Sequence, residues 1–124
     1  MAATLHRKFN CGVELALEVL GGKWKPVILA ALKGRTLRYA ELRAHIPGLS
    51  DKILTQRLKD LEELGLVVRH KRGGRGAPSW YQLTARALSL APALEALYAW
   101  GVQIAGEVGA VIEPAMVDTP RVRK

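Results

Sequence analysis

The sequence predicts a mainly α-helical fold carrying one small β-hairpin, and three observations lead there. A run from Arg38 to Gly65 reads as two short helices around a Pro-Gly break. The period changes directly after Gly65, to two strand-like stretches around a basic, glycine-rich loop. A long apolar helical stretch then follows Thr84. The 124 residues fit a single domain, and a hydrophobic fraction of 49% with mean hydropathy +0.05 indicates a folded globular chain.

Taken in order, residues 1–10 form a basic arm expected to be flexible. Val13, Leu17 and Leu20 recur at helical spacing, and Gly21-Gly22 interrupts them. A second helix is expected over Lys23–Lys33, with Trp24, Val27, Ile28, Ala31 and Leu32 as its apolar stripe. Pro26 near its start costs little, and Gly34 closes it. The central pair follows directly. Its first helix spans about Arg38 to Ile46, and Pro47-Gly48-Leu49 breaks it. Ser50 is a good N-cap for the next, with Asp51 at the positive end of the helix dipole. Leu54, Leu58, Leu61 and Leu64 share its inner face, and Gly65 stops it. Leu66-Val67-Val68 and Trp80-Tyr81-Gln82-Leu83 are the hairpin strands. Thr84 caps a final long helix, which Pro92 is expected to kink. A weakly ordered tail is expected over 106–124, leaving 11–105 as the folded domain.

The second central helix is divided along its length. Lys52, Thr55, Gln56 and Lys59 fall opposite the leucines in its first half, whereas Asp60, Glu62 and Glu63 occupy its second half. A helix pushed into a DNA major groove by its N-terminal residues has that division. The hairpin loop adds Arg69, His70, Lys71, Arg72 and Arg75 with no acidic residue between them. The whole is a winged helix-turn-helix, a three-helical core plus wing, with additional N- and C-terminal helices. The formal charge of +8, from 19 Lys+Arg against 11 Asp+Glu, favours an anionic partner. No apolar run approaches the roughly 20 residues of a membrane-spanning helix. The first ten residues lack a signal-peptide core, and one cysteine forms no internal disulfide. A cytoplasmic, nucleoid-associated location is therefore expected, with no membrane partner.

Specific residues carry a resemblance as well. Cys11 and Val13-Glu14, Gly21-Gly22-Lys23-Trp24, Arg38-Tyr39-Ala40-Glu41-Leu42 and Ile46-Pro47-Gly48-Leu49-Ser50 are part of it. Lys52, Leu54-Thr55, Leu61-Glu62, Gly65-Leu66-Val67, Arg69, Tyr81, Leu83-Thr84, Leu97 and Trp100-Gly101 complete it. Over roughly residues 11–105 the chain resembles the HxlR-type winged helix regulators of bacteria and archaea, relatives of the MarR type. Three departures stand out: Gly12 where proline is frequent, Ala87 where glycine is usual, and Ser79-Trp80 in place of Val-Glu. The resemblance implies a homodimer built by the terminal helices on a near-palindromic operator. The apolar content of the last helix agrees, so Leu94, Leu97, Tyr98, Trp100 and Gly101 are the expected dimer contacts.

The expected function is sequence-specific binding of double-stranded DNA in transcription regulation. Ser50, Lys52, Thr55, Gln56 and Lys59 would meet the groove; Arg38, Arg69, His70, Lys71, Arg72 and Arg75 would lie on the wing and its flanks. The alternative is an architectural DNA-binding protein with little sequence preference. Gln56 and Thr55 favour the first reading, because both suit base readout. Cys11 has two readings. It resembles a cysteine some family members use to sense oxidants or electrophiles, and lone cysteines more commonly serve as small buried hydrophobes. The other candidate input is a small-molecule effector. Trp24, Trp80 and Trp100 suit core or dimer packing better than an effector pocket. His6, His45 and His70 lack metal-ligand spacing, so neither metal nor cofactor is expected. Gly21-Gly22-Lys23 fails the phosphate-loop spacing, and no catalytic motif is present, so an enzyme is not expected.

Overall fold

The computed structural model describes residues 7–71 and 73–114. Eight elements follow one another: α1 (Gly12–Leu20), α2 (Lys25–Ala31), β1 (Leu37–Arg38), α3 (Tyr39–His45), α4 (Asp51–Glu63), β2 (Val67–Lys71), β3 (Ser79–Leu83) and α5 (Ala85–Ala105). The arrangement is mainly helical with a small antiparallel sheet, ordered β1-β3-β2. Tyr81 lies opposite both Leu37 of β1 and Arg69 of β2, which sets the register of all three strands.

Burial explains why these segments hold together. Ile28, Leu32, Leu42, Ile46, Leu49, Leu54 and Leu61 are the largest fully buried side chains, and Leu66, Val67 and Tyr81 close the core from the sheet. The Ser50 hydroxyl accepts the Ile53 N–H, and the Thr84 hydroxyl accepts that of Ala87, so both expected caps are formed. The Thr84 hydroxyl also donates to the Gly65 carbonyl at 2.6 Å, stitching α5 to the end of α4. Gly65 takes φ +75°, which a side chain would strain, and this lets the chain leave α4 directly into β2.

The structure departs from expectation in several places. α2 begins at Lys25 rather than Lys23, because Trp24 sits at φ 87° as its N-cap. β1 precedes α3 where only a connection was expected; its two residues are a strand through pairing with β3. The first hairpin strand extends to Lys71, so most of the basic run lies in β2 and not in the loop. α5 passes Pro92 without ending. It stops in a glycine motif: Gly109 has φ +71°, and the Ala110 N–H reaches the Ala105 carbonyl at 2.8 Å. Residues 1–6 of the basic arm and 115–124 of the tail lie outside the described residues.

Candidate nucleic-acid interface

Four side chains form the outer surface of α4. Lys52, Thr55, Gln56 and Lys59 are all exposed, while Leu54, Leu58 and Leu61 are buried behind them. Among the described residues neither Lys52 nor Lys59 has an ion-pair partner. Both ammonium groups are therefore available to a phosphate or a guanine edge. Thr55 Oγ1 lies 3.4 Å from the Tyr39 hydroxyl, and Gln56 Nε2 donates to Asp60 Oδ1 at 3.0 Å. Ser50, exposed at the N-terminus, is spent as the cap.

A polar knot fixes the entry of this helix. Asp51 Oδ1 accepts from the Tyr39 hydroxyl at 2.8 Å and from Arg43 Nε at 2.9 Å. These two donors hold the Asp51 carboxyl below its ordinary value. Burial, reinforced by the Asp51 carboxylate, pushes the Tyr39 phenol up. Asp51 thus joins α3 to the first turn of α4. Its own charge is partly neutralised there, which suits a position beside a polyanion.

The wing residues separate into tied and untied groups. Strand alternation turns Arg69 towards α4, where its Nε lies 3.8 Å from Glu62 Oε2. His70 points to the opposite face of the sheet and shares a 3.0 Å hydrogen bond with Gln82. Arg38 stacks over the Trp80 ring at 5.3 Å, and its backbone N–H donates to Glu41 Oε1. Arg38 ties β1 to β3, Arg69 ties β2 to α4 and His70 ties β2 to β3, so each of the three has a structural partner. Lys71 and Arg75 are exposed and have no ion-pair partner among the described residues. Arg72 lies outside the described residues. Arg57 was missed by sequence reasoning. It is half-buried on α4, bonding Asp60 and the Lys23 carbonyl. The Asp60 pairing was readable as an i,i+3 charge pair; the Lys23 contact, 34 residues away, was not.

The expected dimer residues also divide. Leu94 is partly buried against the chain's own core. Gly101 is partly covered. Leu97, Tyr98 and Trp100 are 51%, 73% and 58% exposed, which no core-packing role explains. On α1, Val13 and Leu17 are likewise open to solvent, and the helix buries no residue. Cys11 is exposed at the N-cap of α1 in the single chain. The neighbouring Arg7 is engaged elsewhere, 2.6 Å from Glu18 and stacked on Phe9. Trp24 is partly buried against the core, Trp80 lies under Arg38, and Trp100 stands free.

Comparison with known proteins agrees with this geometry. The profile of HxlR-like helix-turn-helix proteins matches residues 19–108. The HTH-type transcriptional regulator YkvN of Bacillus subtilis (strain 168) is 40% identical over 95 residues, covering 77% of this chain and 80% of YkvN. YtcD of the same organism is 35% identical over 116 residues, covering 90% and 92%. Among solved structures, the redox regulator HypR in its reduced form superposes with TM-score 0.74 at 28% identity, over 80% of this chain and 98% of HypR. Reduced YodB from B. subtilis, a transcriptional regulator, gives 0.67 at 30% identity, over 77% and 94%.

Proposed function

This chain belongs to the HxlR-like helix-turn-helix family and is a transcriptional regulator of the helix-turn-helix type, and from that premise we propose that it binds a near-palindromic operator as a homodimer. The observation that carries this reading is the outer face of α4: Lys52, Thr55, Gln56 and Lys59 stand exposed on the capped half of a rigidly packed helix. Thr55 and Gln56 supply base-reading groups, and Lys52 and Lys59 supply charge at the groove edge. Lys71 and Arg75 of the wing meet phosphate or the minor groove, and the +8 charge supplies general affinity. The open apolar faces of α1 and α5 support the dimer, because a two-fold pair covers both at once. In this reading the protein works on DNA in the cytoplasm, associated with the nucleoid.

Cys11 is the input that controls affinity in this reading. Its thiol is exposed at the start of a helix assigned to the dimer contact. HypR has been solved in reduced and oxidised forms, and YodB in reduced and diamide-treated forms. This chain has one cysteine. Diamide would therefore join Cys11 to Cys11 of the second copy or to a small thiol, with both thiol hydrogens passing to diamide. Cys11→Ser should stay on DNA under diamide while the wild type changes affinity. Equal indifference of both proteins would leave a small-molecule effector as the input. The reading as a whole is tested by sequencing the DNA bound in cells. The expected result is one enriched, near-palindromic motif. Bound fragments sharing no motif would favour the architectural reading.

A further inference from the structure

We propose that Asp60 is a positioning residue that fixes which way the Gln56 carboxamide faces, and so sets the base that α4 prefers. The proposal rests on the reading of Gln56 as a base-contacting residue. A glutamine amide is nearly symmetric in shape but not in chemistry: its oxygen accepts and its nitrogen donates. On an open helix face a half-turn of the amide exchanges the two ends and reverses the pattern offered to a base.

Asp60 removes that freedom. An ionised carboxylate only accepts, so the Asp60 Oδ1 at 3.0 Å requires the amino end of Gln56 against it. The flipped amide would set two acceptor oxygens against each other. One Nε2 hydrogen and the Oε1 oxygen then remain for an outside partner. That pair is the donor–acceptor fork that matches adenine N7 and the adenine amino group. The second Asp60 oxygen is held at 3.3 Å by Arg57 Nη1, and Arg57 Nε donates to the Lys23 carbonyl at 3.2 Å. Both Asp60 and Arg57 are mostly covered, at 29% and 25% exposure. Arg57 therefore compensates the carboxylate, which would otherwise repel the phosphates on either side of the groove. A plain helix-surface contact at this spacing would add a little stability and leave base preference untouched.

The experiment uses the full chain with a randomised duplex pool and reads base preference position by position, alongside the thermal midpoint. Gln56→Ala should lose about tenfold of the preference for adenine at one position. Asp60→Ala should lose about three- to tenfold at that same position, while affinity for random duplex holds or rises. Arg57→Met removes the same ion pair and the Lys23 contact but leaves the carboxylate over Gln56. It should weaken binding to all sequences alike and keep the preference profile. If Gln56→Ala loses the preference and Asp60→Ala keeps it, the positioning role is overturned and the Gln56 reading stands. If Gln56→Ala keeps the preference, both fall. If Arg57→Met erases the preference as Asp60→Ala does, the effect belongs to helix stability and the proposal is overturned.

Discussion

The central core and the terminal helices are both rich in apolar residues, but they bury them differently. Among the described residues, α2, α3 and α4, with the sheet and the turns that join them, contribute every buried side chain but Ala87, from Ile28 to Tyr81. α1 buries none, and the 21 residues of α5 bury only Ala87. The core is therefore satisfied within one chain. The terminal helices are not: Val13, Leu17, Leu97, Tyr98, Trp100 and Val102 face solvent. α5 gives one stripe, through Leu90 and Leu94, to its own core and has apolar residues left over. A helix apolar on more than one side needs cover on more than one side. Under the proposed dimer, folding falls to one region and association to the other.

Breaking the core should have the largest effect. Leu54 is fully buried in α4, so Leu54→Ala should destabilise the fold by about 2–5 kcal/mol in urea denaturation. A cost under 1 kcal/mol would mean that α4 is not held by its leucine face. Next comes the association surface. Trp100→Glu should convert a particle of twice the chain mass into one of single mass by light scattering, with helical circular dichroism retained. Loss of helical signal together with mass would show that α5 serves the core instead, and the contrast would fail. The smallest effect is expected at the junction of α3 and α4. Asp51 has a lowered pKa in the fold, so its contribution is fully present above the ordinary aspartate value of about 4 and disappears as pH falls through the lowered one. The thermal midpoint of wild type should exceed that of Asp51→Asn at neutral pH, and the gap should start to close near about pH 4 and vanish as pH falls through the lowered value. A gap unchanged by acid would remove the ionic role of the Tyr39–Asp51–Arg43 knot.

Local chemistry was legible in the sequence, and pairings across the chain were not. The Ser50 cap, the Gly65 stop and the leucine face of α4 each depend on neighbours within one or two turns, and each formed as expected. β1 was invisible because Leu37 and Arg38 become a strand only by meeting Tyr81 and Trp80, more than 40 residues on. For the same reason the basic run looked like a free wing. Its extension into β2 sends Arg69 to Glu62 and His70 to Gln82, contacts decided by register. Leu94 and Leu97 were indistinguishable by hydrophobicity, and only packing separates the core-facing one from the open one. The exposure of Cys11 was equally beyond composition, because it depends on how little α1 touches.

In the proposed reading the capped half of α4 reads sequence while the wing positions the domain. A salt titration tests it most directly, with Gln56→Ala and Arg75→Ala compared on the cell-derived operator and on a scrambled duplex. Gln56→Ala should lose about 1–3 kcal/mol on the operator, little on the scrambled duplex, and keep the wild-type slope of log affinity against log salt. Arg75→Ala should weaken both duplexes alike and lower that slope by about one for the lost phosphate contact. Equal weakening of both duplexes by Gln56→Ala, together with operator-only loss in Arg75→Ala, would contradict this orientation of the domain on DNA.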